Sequence, residues 1–189
     1  ITNMANKTTL CDNGTQNMTQ IAQVGEMFMS NETHALGILK KYDAKYVVVF
    51  TTFSVTQDTS TGQIYIYDTP GWGDEGKWTW MAQIAGFGNR TKIETEFGKW
   101  TSTTTTTGTT TNTITWTDKG KNTVFYKLMN YGREMRLFYM YYGREPTKEE
   151  LEYYKSYSPF LYQDYGLENF NLVYFSKGTQ TNPFILVCV

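Results

Sequence analysis

The sequence predicts a mixed α+β fold in which several helices pack on a small β-sheet within a single globular domain. Two consecutive segments, residues 18–30 and 31–43, carry apolar residues at helical spacing. The β-branched run in "AKYVVVFTT" (44–52) follows them directly and predicts a buried strand. With 189 residues, 40% of them hydrophobic and 19% charged, the chain is long enough to bury one core.

The first half of the chain predicts two helices, two strands and a third helix. Either Asn31 or Thr33 can cap the second helix, since both side chains carry a suitable oxygen. After the buried strand, "QIYIYD" (63–68) alternates as an exposed strand or hairpin arm and stops at Pro70. Residues 73–86 then predict a helix.

The second half begins with a Thr-rich tract and continues with helices and strands. Residues 99–117, "KWTSTTTTTGTTTNTITWT", favour extended backbone but offer few large apolar groups, which predicts an exposed loop or a weak hairpin. Residues 122–132 predict a helix that ends at Gly132, and Pro146 and Thr147 open a charged helix over 146–157. "FNLVYFS" (170–176) and "PFILVCV" (183–189) predict two final strands.

Composition excludes several classes of function. The 17 basic and 18 acidic residues give no basic field for nucleic acid or an anionic membrane surface. The chain has one histidine, His34, so a histidine-rich zinc site is excluded and a Ser-His-Asp catalytic triad is hard to place. We expect His34 to be a surface residue. Cys11 and Cys188 could form a disulfide, but two thiols in a chain of this length leave that open.

Five Asn-x-Thr triplets are possible N-glycan acceptors if the chain faces an extracytoplasmic space. They begin at Asn6, Asn13, Asn17, Asn31 and Asn89. The chain has no apolar run of about 18 residues that could span a membrane and no signal peptide. It does not begin with Met, so we expect it to be a piece of a longer chain.

The stretch "GWGDEGK" (71–77) matches the G-x-x-x-x-G-K spacing of a phosphate-binding loop. Such a loop requires a cradle free of negative charge, followed by a hydroxyl residue that holds magnesium. Here Asp74 and Glu75 lie inside the loop, and Trp78 replaces the hydroxyl residue. The sequence therefore argues against a phosphate-binding loop.

Within a predicted helix, Asp74, Lys77 and Met81 lie at positions i, i+3 and i+7. At about 100° per residue this spacing confines the three side chains to an arc of roughly 60°. Spacing alone favours an ordinary ion pair on a solvated helix face with Met81 buried beside it.

The same residues, Asp74-Glu-Gly-Lys77-Trp-Thr-Trp-Met81, resemble the D-x-x-K-x-x-x-M signature, or DK motif, of the catalytic subunit of oligosaccharyltransferase. The stretch "ITNMANKTTLCDNGTQNMTQIAQVGEMF" (1–28) is similar to the segment that follows the family's Trp-Trp-Asp-Tyr-Gly motif. "KKYDAKYVVVF" (40–50) and "YKLMNYG" (126–132) resemble later family segments in the same order. The short length suggests the archaeal (AglB) type.

This resemblance implies a membrane enzyme that transfers an oligosaccharide from a dolichol-type lipid carrier to the Asn amide of N-x-S/T in an acceptor polypeptide. The five Trp residues are never adjacent, so the Trp-Trp-Asp-Tyr-Gly motif is absent. The chain then corresponds to the monomeric, soluble C-terminal domain on the extracytoplasmic face. The Mn²⁺ or Mg²⁺ of the full-length enzyme would be held by carboxylates of the transmembrane part, so this chain alone is expected to have no catalytic residue, metal ligand or activity.

The resemblance assigns Asp74, Lys77 and Met81 to a pocket for the Ser or Thr of the acceptor sequon. Lys77 as a donor and Asp74 as an acceptor of charge-assisted hydrogen bonds suit a polar wall, and the thioether of Met81 suits the Thr methyl. Two alternatives remain. The chain could be a secreted or surface-layer carbohydrate-binding module whose aromatic residues stack on sugars, or a purely structural surface domain.

Overall fold

A computed structural model describes residues 8–11, 14–62, 64–68, 73–104, 106, 108, 110–155, 167–170, 173–175 and 184–188. The chain divides into two compact units, described separately below. The first unit comprises Ile1–Lys45, Trp78–Lys99 and Trp116–Phe125, and the second comprises Tyr46–Lys77, Trp100–Thr115 and Tyr126–Val189. The mixed α+β class is confirmed, whereas the single domain stays a prediction.

The first unit is helical. Its elements are α1 (Met18–Met29), α2 (Glu32–Lys41), α3 (Trp78–Ile84), α4 (Arg90–Glu96), α5 (Asp118–Lys121) and the first residues of α6 (Val124–Tyr142). Both helices predicted from residues 18–43 are confirmed. Asn31 caps α2, because its Oδ1 accepts a hydrogen bond from the His34 backbone N–H at 3.0 Å.

Apolar side chains from α1 to α4, the start of α6 and the connections between the helices form the buried core of the first unit. They include Met27, Met29, Ala35, Ile38, Leu39, Trp78, Ala82, Ile93, Phe97, Val124 and Phe125. The rings of Trp78 and Trp116 lie 5.0 Å apart between centroids, and Phe87 meets Phe97 edge to face at 5.3 Å. The many aromatic residues of the sequence therefore contribute to a core of large rings, as such a composition favours.

The second unit contains a four-stranded antiparallel sheet in the order β2-β1-β6-β5. Its strands are β1 (Val48–Gln57), β2 (Ile64–Asp68), β5 (Tyr174–Phe175) and β6 (Phe184–Cys188). The first half of β1 pairs with β6, from Val48 opposite Cys188 to Thr52 opposite Phe184. Its second half pairs with β2, from Phe53 opposite Asp68 to Gln57 opposite Ile64. The strands predicted in these segments are thereby confirmed.

The Thr-rich tract forms a two-stranded hairpin of β3 (Gly98–Thr104) and β4 (Thr110–Trp116). Of the two predicted alternatives, the hairpin is confirmed and the exposed loop over about 99–117 is wrong. The Ser102 hydroxyl donates to Asn112 Oδ1 at 2.5 Å, and the hydroxyls of Thr104 and Thr110 lie 3.0 Å apart. Threonine favours strands, and such cross-strand polar pairs add to that preference even where the side chains are exposed.

The helix predicted to stop at Gly132 continues to Tyr142 as α6, so the predicted end is wrong. Gly132 is itself buried, and the apolar stripe of the helix continues beyond it through Met135 and Phe138, which are buried as well. A glycine inside a helix costs only about 1 kcal/mol relative to alanine, and burial of the following turns outweighs that cost. The helix ends before Gly143, whose φ of 67° is left-handed.

The charged helix predicted from residue 146 is present as α7 (Lys148–Lys155). Its start is a capping box, since the Glu150 N–H donates to Thr147 Oγ1 at 3.2 Å and the Thr147 N–H donates to Glu150 Oε2 at 3.0 Å. The Arg144 guanidinium adds two bonds to the same carboxylate, at 2.5 and 2.6 Å. The Arg144 bonds, followed by the Thr147 N–H, lower the pKa of Glu150 to about 2.

Replacing Arg144 with Gln is expected to raise the pKa of Glu150 towards its ordinary value of 4.5. In the wild type the pKa is lowered by folding, so the stabilisation of this capping box is present above the unfolded pKa. It is lost as the pH falls through the folded pKa of about 2. An NMR titration of the Glu150 carboxyl measures its pKa in the wild type and in the variant. An equally low pKa in the Arg144→Gln variant would contradict the assignment to Arg144.

Candidate functional site

Asp74 and Lys77 lie in a 3₁₀ turn of the second unit, and not on the α-helix predicted over residues 73–86. The turn spans Asp74–Gly76 and is closed by the Lys77 N–H, which donates to the Asp74 carbonyl at 2.8 Å. A separate helix, α3, begins at Trp78. The predicted helix is therefore wrong over its first turn, and the 60° arc, which assumed one continuous α-helix, does not describe these three residues.

The Asp74 carboxylate ties the turn to the sheet. Its Oδ2 accepts a hydrogen bond from the backbone N–H of Phe50 in β1 at 2.8 Å, while its Oδ1 lies 3.4 Å from Lys77 Nζ. Only 18% of the Asp74 side chain is exposed. A carboxylate that accepts a backbone N–H bond in a partly buried place is a strong anchor, so Asp74 fixes where the turn sits against β1.

The Lys77 side chain is 63% exposed. Its ion pair with Asp74 is long and solvated, and such pairs contribute between about 0 and 1 kcal/mol. Asp74 therefore orients the ammonium group but occupies only one of its hydrogen-bond donors, so the group can donate to a further acceptor. The turn thus places an anchored carboxylate beside an exposed ammonium group.

Glu75, inside the same turn, is buried with 8% of its surface exposed. Sequence reasoning used Glu75 only to reject a phosphate-binding loop and did not predict its burial. It also did not predict the hydrogen bond from the Phe50 N–H to Asp74, because a backbone donor is present at every residue other than proline and is not part of a side-chain pattern.

Met81 lies in the first unit, on α3, where its side chain is half-buried. Its backbone approaches α1 closely, because a Cβ added to Gly25 would stand 2.6 Å from the Met81 carbonyl oxygen. The structure thus brings Asp74 and Lys77 together in the second unit, whereas Met81 belongs to the first unit.

Two further expectations concern His34 and metal ions. His34 is an exposed surface residue, as predicted, with its Nε2 2.8 Å from Glu26 Oε1. Within the described part of the chain, no three His, Cys, Asp or Glu side chains come together as metal ligands.

Fold and site together define a mixed α+β chain that carries an anchored Asp–Lys turn beside an antiparallel sheet. No family model matches the chain. Over 104 residues, 54% of the chain, it is 36% identical to the dolichyl-diphosphooligosaccharide–protein glycosyltransferase subunit stt-3 of Caenorhabditis elegans, and the match covers 12% of that protein.

This likeness supports the oligosaccharyltransferase family, while the archaeal type stays a prediction. Among the described helices, none is both long and apolar enough to cross a membrane.

Proposed function

We propose that the chain is an extracytoplasmic domain of an oligosaccharyltransferase of protein N-glycosylation, in which the Asp74–Lys77 turn helps to recognise the Ser or Thr of the N-x-S/T acceptor. The membrane-embedded remainder of the protein would transfer the oligosaccharide from a dolichol-type carrier to Asn. The observation that carries the proposal is the Asp74 anchor to β1 within a D-x-x-K-x-x-x-M signature. The partial likeness to the stt-3 subunit supports it.

Lys77 is the residue of the turn best suited to contact the acceptor. Its exposed ammonium offers three donors, and a Ser or Thr hydroxyl oxygen offers two lone pairs. A charge-assisted hydrogen bond of this kind contributes about 1.5–3 kcal/mol. Asp74, whose Oδ2 is held by the Phe50 N–H, is in our proposal a positioning residue that orients Lys77 through its Oδ1.

We expect Lys77→Ala to lower sequon-peptide transfer by the full-length enzyme about tenfold, since it removes one charge-assisted hydrogen bond to the acceptor. Transfer is measured with a lipid-linked donor and Mn²⁺. Lys92→Ala is the matched control, because Lys92 is also exposed (60%) and weakly paired, with its Nζ 3.7 Å from Glu96 Oε1. The control should transfer at the wild-type rate.

Near-normal transfer by a folded Lys77→Ala variant would contradict a role of Lys77 in binding the acceptor peptide. A structural surface domain would then be the better hypothesis. Circular dichroism of both lysine variants must therefore match the wild type. An equal loss in Lys77→Ala and Lys92→Ala would indicate a general charge effect and would also contradict the proposal.

Met81 is proposed, from the motif alone, to contact the methyl group of an acceptor Thr. Burial of one methyl group contributes up to about 0.8 kcal/mol, roughly a fourfold preference for Thr over Ser. We expect Met81→Ala to bring that preference closer to one. The ratio of transfer to matched N-x-T and N-x-S peptides measures it, and an unchanged ratio would contradict the methyl contact.

A carbohydrate-binding module is the second candidate, and one observation favours it. Trp80 on α3 is 66% exposed, and exposed aromatic rings can stack on sugars. This candidate requires saturable binding of an oligosaccharide that Trp80→Ala removes. Calorimetric titration tests it, and the absence of binding would exclude it.

A further inference from the structure

We propose that Gly25 is a positioning residue for the preference for Thr over Ser, because it lets α1 hold the backbone of α3 in place at Met81. This role rests on the methyl contact of Met81 proposed above. It adds a residue that lies outside the D-x-x-K-x-x-x-M signature and sets where the Met81 side chain lies. Gly25 is buried within α1, and Met81 lies on α3 in the same unit.

The contact between α1 and α3 at Gly25 leaves no room for a side chain. A Cβ on Gly25 would stand 2.6 Å from the Met81 carbonyl oxygen and 3.5 Å from Ala85 Cβ. Ordinary van der Waals contacts begin near 3.4 Å, so the Met81 oxygen would have to withdraw to about that distance. Glycine weakens a helix interior, but it permits this close approach of a second backbone.

The obstructing atom is a backbone oxygen, which cannot rotate away as the end of a side chain can. The Met81 carbonyl accepts a hydrogen bond from the Ala85 N–H at 3.0 Å, at the end of α3. A carbonyl group held in this way moves together with its helix. Alanine at position 25 is therefore expected to displace α3, and with it the side chain of Met81.

The short helix α3 can move without loss of the fold. It has seven residues, of which Trp78 and Ala82 are buried. Trp80 and Ile84, in contrast, are exposed. Crowding from α1 thus acts on a helix that has an exposed side, so we expect a displacement of α3 within a folded protein.

A displaced Met81 thioether would lose part of its contact with the Thr methyl group. A gap of about 0.5–1 Å removes roughly a quarter to a half of the attraction between two atoms. Starting from a preference of about fourfold for Thr over Ser, Gly25→Ala should leave a preference of about two- to threefold. Transfer to Asn is the same reaction for both peptides, so their ratio reports the fit of the methyl group and not the overall activity.

The test measures transfer to matched N-x-T and N-x-S peptides by the full-length enzyme. The wild type is compared with Gly25→Ala, Met81→Ala and the double variant. Gly25→Ala should lower the ratio to about two- to threefold, but not further once Met81→Ala is present, because the side chain that it positions is then gone. All variants are also made in a Gly37→Ala background, which favours its helix and adds no contact within 4 Å, so that lost stability does not prevent the assay.

Leu39→Ala is the control for a general loss of stability. Leu39 is buried on α2, and its truncation leaves a cavity without adding an atom beside α3. This control should keep the wild-type ratio. An equal fall of the ratio in Leu39→Ala and Gly25→Ala would overturn the role of Gly25, since the ratio would then follow stability.

The result for Met81→Ala separates this role from the proposed function. If Met81→Ala lowers the ratio and Gly25→Ala does not, the positioning role is overturned and the methyl contact stands. If Met81→Ala leaves the ratio unchanged, the methyl contact and the role of Gly25 are both overturned. The Lys77→Ala assay reports on recognition of the acceptor hydroxyl independently of either outcome.

Discussion

Asp74→Ala is expected to lower sequon-peptide transfer by the full-length enzyme about 10- to 150-fold. The substitution removes the acceptor that lies 2.8 Å from the Phe50 N–H and, with it, the counter-charge of Lys77. A hydrogen bond to a charged group contributes about 1.5–3 kcal/mol, and the population of the competent turn falls by the corresponding factor. We expect the loss mainly in the KM for the peptide, since acceptor binding is weakened.

Asp74→Asn is the matched variant that separates anchoring from charge. Its amide oxygen can still accept the Phe50 N–H, but it no longer attracts Lys77. We expect transfer within about tenfold of the wild type, since the charge-assisted part of the bond is the part that is lost. If Asp74→Asn is as impaired as Asp74→Ala while both remain folded, the charge beside Lys77 matters and the anchor to β1 does not.

Gly120→Ala is expected to destabilise the folded state by about 3 kcal/mol or more, the largest stability effect that we predict. A Cβ on Gly120 would stand 1.8 Å from the Phe97 carbonyl oxygen and 2.8 Å from Trp116 Cε3. The same carbonyl accepts the Thr117 N–H at 3.0 Å, and Thr117 Oγ1 accepts the Gly120 N–H at 3.0 Å. The clash therefore adds the cost of overpacking to the loss of hydrogen bonds at the start of α5.

Gly37→Ala is the control for this substitution, because Gly37 is also a helical glycine. It lies within α2, and a Cβ there would meet nothing within 4 Å. Alanine is the better helix former, so the free energy of unfolding of this variant should rise by about 0.5–1 kcal/mol. Unfolding by denaturant measures this free energy for both variants. A Gly120→Ala protein within about 1 kcal/mol of the wild type would contradict the close approach of α5 to Phe97.

Helices α1 and α2 were predictable because their signals are local. The apolar spacing of residues 18–43 and the cap at Asn31 lie within the segments that they organise. The strands were predictable for a similar reason, since Val47 and Val49 begin a β-branched run that suits a buried strand. The end of α6 was not predictable in this way, since burial beyond Gly132 outweighs the weak helix propensity of that one residue.

The sequence by itself determined the mixed α+β class, the positions of most helices and strands, and the D-x-x-K-x-x-x-M signature with its resemblance to oligosaccharyltransferases. Each depends on residues close together in the chain. Only the tertiary structure decided that residues 74–77 form a 3₁₀ turn, that Asp74 anchors it and that Lys77 stays exposed. The reason is physical: the deciding partner of Asp74 is the Phe50 backbone N–H, 24 residues away, which folding brings within 2.8 Å.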